Sequence, residues 1–162
     1  KPLLFFNELN EITKKIQKNN LRVKLDTNGS FPERLEILIK SELIDYIAVD
    51  IKSPLDETYF LATGNKTNKE PELIAKIRKT IKTVMLSGLD YEFRTTCVPG
   101  LIDEKTIKKI GEDIRGAKRW VLQKFIPFNA YKKEYRNKSF DDKKLNELLG
   151  IARSIIPDSK LR

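Results

Sequence analysis

Polar and charged side chains follow each of four short apolar segments, at positions where the ends of parallel strands form ligand sites. The first segment ends in Asp26-Thr27-Asn28-Gly29 and the second in Asp50-Ile51-Lys52. The third contains Arg94, and the fourth contains Gln123 and continues to Asn129. Charged groups beside buried strands need partners, so this set predicts a site for a polar ligand. The candidate binding residues are Asp26, Thr27, Asn28, Asp50, Lys52, Arg94, Gln123 and Asn129.

Each candidate also has a purely structural interpretation. Asn28-Gly29 is ordinary turn chemistry, because both residues tolerate a positive φ. Asp50 and Lys52 are two residues apart, share one face of a strand and can form an ion pair. Arg94 can neutralise a nearby acid. Both interpretations stay open for each residue, and the agreement of four strand ends favours a site.

The elements that must position these residues follow from the apolar spacing. Period-2 or continuous apolar runs predict strands at 22–25, 44–49, 91–98 and 119–125. Helical spacing predicts amphipathic helices within 4–18, 32–43, 73–85, 107–114 and 145–152, and residues 56–71 form a longer connection. Alternating helices and strands predict an α/β fold with a parallel sheet.

Composition narrows the possible functions. The chain has 162 residues, 40% hydrophobic and 34% charged, which suits a single domain, 1–162. No apolar run is long enough to span a bilayer. One cysteine and no histidine exclude an internal disulfide, Cys/His zinc sites and Ser-His-Asp catalysis. We interpret Cys97 as a small buried apolar residue, and the cysteine usage fits a reducing cytoplasm.

Four segments together resemble a known family: "VKLDTNGSFPERLEILI", "LIDYIAVDIKSPL", "SGLDYEFRTTCVPGLI" and "GAKRWVLQKFIP". Their order and spacing are similar to those of radical SAM enzymes, most of all the glycyl-radical-enzyme activating group. That group includes pyruvate formate-lyase activating enzyme and the activating protein of anaerobic ribonucleoside-triphosphate reductase. The resemblance implies a partial (β/α) barrel with a parallel sheet, and about four of the six βα units of the radical SAM core.

The resemblance also implies S-adenosylmethionine as cofactor, cleaved in the family by a [4Fe–4S] cluster. By analogy, Asp26 and Thr27 line the S-adenosylmethionine site, and Asp26 and Asp50 hold a monovalent cation near its methionyl carboxylate. Lys52 and Arg94 contact the carboxylate or ribose region. Asn129 stands where relatives carry a histidine that faces the adenosyl group.

The partner implied by the resemblance is a glycyl radical enzyme of the anaerobic ribonucleotide reductase or pyruvate formate-lyase type. The family takes a hydrogen atom from a glycine of that partner with a 5′-deoxyadenosyl radical. The electron donor implied is a ferredoxin or a flavodoxin, and the location is cytoplasmic.

Two family motifs are missing from the chain. The cluster-binding CxxxCxxC does not occur, and neither does the GGEP segment of the second family strand. Cys97 cannot replace three thiolate ligands. We therefore expect a C-terminal portion of a radical SAM barrel that lacks the cluster-binding N-terminal strands, has no catalytic residue of its own and is inactive alone. An exposed edge of its parallel sheet predicts a dimer.

A competing interpretation is a basic, non-catalytic α/β module that binds nucleic acid. The net charge is +9, and a late cluster combines cations with aromatic residues. Its members are Arg115, Lys118, Arg119, Trp120, Lys124, Tyr131, Lys132, Lys133, Tyr135, Arg136 and Lys138. A solvated surface is favoured over this footprint, because the lysines along the chain are mixed with Asp and Glu.

Overall fold

The computed structural model describes residues 2–64, 70–130 and 133–162, and the side chains of Glu70 and Asn129 lie outside that description. The strands are β1 (Lys24–Thr27), β2 (Tyr46–Asp50), β3 (Asp90–Cys97), β4 (Trp120–Lys124) and β5 (Ser159–Leu161). The α-helices are α1 (Phe6–Lys18), α2 (Pro32–Lys40), α3 (Tyr59–Thr63), α4 (Glu70–Met85), α5 (Glu104–Asp113) and α6 (Asp142–Ile155). Short 3-10 turns lie at Pro2–Leu4, Pro127–Asn129 and Lys133–Tyr135.

The strands form one parallel sheet in the order β1-β2-β3-β4-β5. The α/β class and the parallel sheet are therefore confirmed. A helix follows each of the first four strands, as the prediction of about four βα units requires. No helix among the described residues is long and apolar enough to cross a membrane.

Two short elements were missed from the sequence. Residues 56–71, predicted as a connection, contain the five-residue helix α3, which ends at Gly64 with a left-handed φ of 71°. Residues 159–161 pair in parallel with β4 as strand β5. Both elements are too short to show an apolar period. Their conformation therefore depends on tertiary contacts and not on a sequence pattern.

Contacts divide the chain into two compact units, residues 1–50 with 68–92 and residues 51–67 with 93–162. The prediction of a single domain over 1–162 stays a prediction. The units are described separately below.

In the first unit, β1 pairs in register with β2, from Lys24 opposite Tyr46 to Thr27 opposite Val49. Helix α2 packs against α4, and both bury their apolar sides. Pro32 opens α2, where its missing N–H leaves no helical hydrogen bond unmade. The buried apolar residues of these elements are Leu25, Leu35, Leu38, Ile47, Val49, Ile77, Ile81 and Val84.

Helix α1 forms as predicted, but most of its apolar stripe is not buried. Ile12 is 53% exposed, and Leu4 and Phe5 before the helix are also more than half exposed. Thr13, a polar residue, is the buried position of the helix.

The second unit has a tighter helix pair. Helix α5 packs against α6 and buries Ile107 and Ile110 completely. Gly111 lies at the contact, where an added Cβ would come within 2.6 Å of Ile155 Cδ1. A side chain at that position would therefore require the Ile155 side chain to move.

Trp120 of β4 anchors the interior of the second unit. It is fully buried, and its Nε1 donates a hydrogen bond of 3.0 Å to Thr95 Oγ1. Thr95 Oγ1 in turn donates to the carbonyl oxygen of Ile51 at 2.8 Å. Trp120 thus belongs to the core and cannot stack against a base.

Candidate ligand-binding residues at the strand ends

The end of β1 is a turn closed by its own side chains. Thr27 Oγ1 accepts a hydrogen bond of 3.2 Å from the N–H of Gly29, whose φ of 75° lies in the left-handed region. Asn28 Oδ1 accepts from the N–H of Ser30 at 3.3 Å and from its hydroxyl at 2.8 Å. The predicted turn is present, and both side chains help to hold it.

The two candidate acids of the first unit, Asp26 and Asp50, lie on one face of its strands. Asp26 is opposite Ala48 in the register, and Asp50 is two residues beyond Ala48 on the same face. The side chain of Asp26 is about half exposed, whereas the neighbouring Leu25 and Thr27 point to the buried face. Asp26 is therefore open to solvent, whereas Asp50 is half-buried.

A buried acid lies behind these carboxylates. Glu92 is only 2% exposed, and its two carboxylate oxygens have different partners. Oε1 lies 3.2 Å from the ammonium of Lys24, and Oε2 accepts a hydrogen bond of 3.2 Å from the Tyr46 hydroxyl. The same ammonium is 3.9 Å from Asp26 Oδ1 and 5.2 Å from the centre of the Tyr46 ring. Lys24 thus joins the buried acid to the exposed one.

Glu92 was missed from the sequence. Its signal was an acid between Tyr91 and Phe93, in a strand whose other early positions are buried. A buried carboxylate needs a cation or several hydrogen-bond donors. The pattern predicts that need, but only the fold identifies Lys24 and Tyr46 as the partners.

In the second unit, Lys52 and Arg94 lie on adjacent segments. The N–H of Ile51 donates to the Arg94 carbonyl oxygen at 2.8 Å, which places Lys52 beside the end of β3. The side chain of Lys52 is exposed and that of Arg94 is half-buried. The register pairs Arg94 with Val121 and Thr96 with Gln123, so Arg94 and Gln123 share a face.

The end of β4 carries the remaining candidates. Gln123 is half-buried beside Thr96. The ammonium of Lys124 pairs at 2.7 Å with Asp142, which opens α6, so that lysine has a structural partner. The side chain of Asn129 lies outside the described part of the chain, and its role stays a prediction.

The strand-end residues therefore come from both units. The first supplies Asp26, Thr27, Asn28 and Asp50, and the second supplies Lys52, Arg94 and Gln123. That they meet in one site stays a prediction. As a donor set they combine carboxylates with an ammonium, a guanidinium and an amide. Such a set matches a ligand that carries charges of both signs.

Nothing in the described ranges provides an iron–sulfur site. No group of three or more His, Cys, Asp or Glu side chains there could hold a metal ion. Cys97 is fully buried, and burial raises the pKa of its thiol to about 12. A buried thiol with that pKa is neither a metal ligand nor a nucleophile at neutral pH. The residues present therefore do not fit a [4Fe–4S] cluster.

Acids neutralise several members of the basic cluster. Arg119 pairs with Asp158 at 2.9 Å, and Lys124 pairs with Asp142. Arg115 forms a close pair with Glu112 on the same helical turn. Tyr131 and Lys132 lie outside the described residues. With Trp120 buried as well, the cluster offers less charge and fewer aromatic faces than its sequence suggests.

Comparison of the fold with solved structures gives two informative matches, and no protein-family model matches the chain. A crystal structure of a domain of pyruvate-formate lyase-activating enzyme from Bacteroides vulgatus aligns with a TM-score of 0.72. It is 19% identical, and the alignment covers 100% of this chain and 94% of that one. HMG-CoA lyase from Brucella melitensis aligns with a TM-score of 0.56 at 14% identity, over 88% of this chain and 47% of that one. At these identities both matches show the fold alone, which for the first is that of an activating-enzyme domain.

Sequence comparison gives the family. A curated protein of Methanocaldococcus jannaschii, named for the activation of glycyl-radical enzymes, is 32% identical over 162 residues. The alignment covers 99% of this chain and 67% of that protein. The chain therefore belongs to the glycyl-radical enzyme activating enzymes, a radical SAM family.

Proposed function

We propose that this chain is the S-adenosylmethionine-binding portion of an enzyme that generates a glycyl radical on a partner enzyme. The observation that carries the proposal is the 32% identity over 99% of the chain with a protein named for that activity. The charges of both signs at the strand ends also support it. When bound, S-adenosylmethionine supplies the 5′-deoxyadenosyl group that takes a hydrogen atom from the partner's glycine.

The strand-end residues would divide the binding between them. Lys52 and Arg94 neutralise the methionyl carboxylate, and Arg94 can donate two parallel hydrogen bonds. Asp26 and Asp50 hold a monovalent cation near that carboxylate. Thr27 and Asn28 keep the first turn in shape, because their side chains are hydrogen-bonded within it. Gln123 and Asn129 supply amides toward the adenosyl end.

Isothermal titration of the chain with S-adenosylmethionine tests this proposal. We expect saturable binding of one molecule per chain, and weaker binding of S-adenosylhomocysteine, which lacks the sulfonium charge. ATP serves as the control for an unspecific anion site, because it offers phosphates without a methionyl group. An absence of S-adenosylmethionine binding at millimolar concentration, or tighter binding of ATP, would overturn the proposal.

We further propose that the chain alone does not assemble the cluster and is inactive. Its one cysteine is buried and keeps its proton at neutral pH. Anaerobic reconstitution with iron and sulfide should leave substoichiometric iron on the chain after desalting. Cys97→Ala is the matched control and should retain the same small amount of iron. Stoichiometric iron and sulfide that depend on Cys97 would contradict this.

The partner we propose is a glycyl radical enzyme of the anaerobic ribonucleotide reductase or pyruvate formate-lyase type. The electron donor would be a ferredoxin or a flavodoxin, and the location the cytoplasm. These assignments rest on the family, whose named substrates are glycyl-radical enzymes.

We also propose that the chain pairs with a second copy through the edge of its sheet. Strand β1 is the first in the strand order, and exposed edges invite pairing. The same unit exposes Leu4, Phe5 and Ile12. Light scattering at high concentration should show a dimer that Ile12→Lys weakens and Leu86→Lys leaves intact. A clean monomer would contradict the proposal.

A further inference from the structure

Two adjacent cavities lie on the loops and helices that follow the strands of the second unit. The first has a volume of about 390 Å³ and is mainly apolar. Its walls include Leu61, Val98, Leu101, Phe125, Ala130 and Tyr135. Phe125, directly after β4, is a half-buried wall residue of this cavity.

The second cavity has a volume of about 410 Å³ and is also mainly apolar. Leu61 and Leu101 line both cavities, so the two form neighbouring compartments of one groove. Thr58, Asp103 and Lys144 add polar groups to the second compartment. Two neighbouring apolar compartments can receive successive side chains of an extended peptide.

Large apolar side chains are exposed around the first compartment. Phe128 is 90% exposed and Ile126 is 62% exposed, and both lie on the segment between Phe125 and Ala130. Leu61, in the wall itself, is 51% exposed. Large apolar residues that are exposed on or next to the segments lining an apolar cavity are typical of a surface that binds another protein.

The charges beside this compartment are mostly positive. Lys133, Arg136 and Lys138 flank Tyr135, and Glu134 is the acid among them. The Lys138 ammonium lies 5.1 Å from the centre of the Tyr135 ring, and Arg136 Nε donates to the Ala130 carbonyl oxygen at 3.1 Å. Both cations are therefore held against the cavity wall. Among the residues that the structure describes, no ion pair neutralises either of them.

We propose that the first compartment receives one large apolar side chain of an acidic polypeptide segment of a partner protein. The proposal rests on the proposed function, in which the substrate is itself a protein. The net positive charge beside the cavity complements acidic residues flanking the inserted side chain. The aliphatic side chains of Leu61, Val98 and Leu101 in the wall offer contact surface for an alkyl or benzyl group.

Fluorescence anisotropy with labelled nonapeptides tests the proposal. The probe is Glu-Asp-Glu-Asp-Leu-Asp-Glu-Asp-Glu, and its control carries alanine in place of leucine. We expect the leucine peptide to bind at least tenfold more tightly than the alanine peptide. Leu61→Asp and Phe128→Ser should each remove that preference. Leu86→Asp, at an apolar residue that is 75% exposed after α4, should retain it.

Three outcomes would overturn the proposal: equal affinity for both peptides, no peptide binding at millimolar concentration, or a preference that survives both cavity substitutions. Tighter, salt-dependent binding of oligo(dT) that the same substitutions remove would assign the groove to nucleic acid instead. S-adenosylmethionine titrations of the same variants separate this proposal from the proposed function. Loss of peptide preference with unchanged cofactor binding supports the docking site, whereas peptide binding without cofactor binding contradicts only the proposed function.

Discussion

The two compact units contribute strand-end side chains of opposite charge. In the first unit β1 carries Asp26 and β2 ends in Asp50, and the nearby cation Lys24 is held by buried Glu92. In the second unit, the segment that follows β2 provides Lys52, and β3 provides Arg94. A purely anionic ligand would need only the cations of the second unit. A free metal cation would need only the acids of the first. The comparison therefore assigns anion binding to the second unit and cation binding to the first, which are the two roles that the proposed function requires.

The largest effect is expected at Arg94. Replacing it with alanine removes a charge-assisted hydrogen bond to the carboxylate and should weaken S-adenosylmethionine binding about thirtyfold, or about 2 kcal/mol. Isothermal titration measures the loss. Arg119→Ala is the control, because that arginine pairs with Asp158 outside the strand ends. Equal affinities for the Arg94 variant and the unmodified chain would show that the second unit does not bind the carboxylate through Arg94.

The next effect concerns the buried acid of the first unit. Glu92→Gln removes the charge that holds Lys24, so the free energy of unfolding should fall by about 1–2 kcal/mol. Urea denaturation measures it. Glu112→Gln, which breaks an exposed pair with Arg115, should leave the midpoint unchanged. If both variants unfold at the midpoint of the unmodified chain, Lys24 is not held by Glu92.

A smaller effect on stability is expected at Asp56, an acid of the second unit that has a structural role and no proposed contact with the ligand. Hydrogen bonds from the Thr58 hydroxyl and the Lys109 ammonium lower the pKa of Asp56 from 3.8 to about 2. Because the folded pKa is the lower one, the stabilisation is complete above pH 3.8 and is lost as the pH falls toward 2. Asp56→Asn should cost about 1 kcal/mol at neutral pH and flatten this acid dependence.

Urea titrations at a series of pH values check the Asp56 prediction. Glu57→Gln, at an exposed neighbour, is the matched control and should keep the slope of the unmodified chain. S-adenosylmethionine affinity should not change in either variant. A steep acid dependence that survives in Asp56→Asn would show that another carboxylate is responsible.

The smallest effect is a cation dependence of binding. Replacing potassium by tetramethylammonium should weaken S-adenosylmethionine binding about threefold, because Asp26 and Asp50 would then repel the methionyl carboxylate. Asp50→Asn should remove the dependence, and Glu8→Gln on α1 should retain it. A dependence that persists in Asp50→Asn would place the cation elsewhere.

The sequence predicted the alternation of strands and helices well, because each long element carries its own apolar period. The same period did not predict burial. Helices α1 and α5 show equally clear apolar stripes, yet Ile110 is fully buried and Ile12 is half exposed. Helix α5 has α6 to pack against, with Gly111 close to Ile155, and no period reveals that contact.

For the candidate site, the spacing of apolar residues identified the strand ends. It did not identify the hydrogen-bond partner of each polar side chain. That Thr27 and Asn28 close their own turn depends on local geometry. That Glu92 is held by Lys24 and Tyr46 depends on the pairing of strands distant in the chain. Contacts of this kind are tertiary, so a single sequence signals only that a buried acid needs partners.

The most direct test of the central claim is amide chemical-shift mapping of the labelled chain during titration with S-adenosylmethionine. We predict saturable shift changes at both sets of strand ends, around Asp26 and Asp50 and around Lys52 and Arg94, with a common dissociation constant. Changes confined to one unit, or located away from the strand ends, would contradict a single site built from acids of one unit and cations of the other.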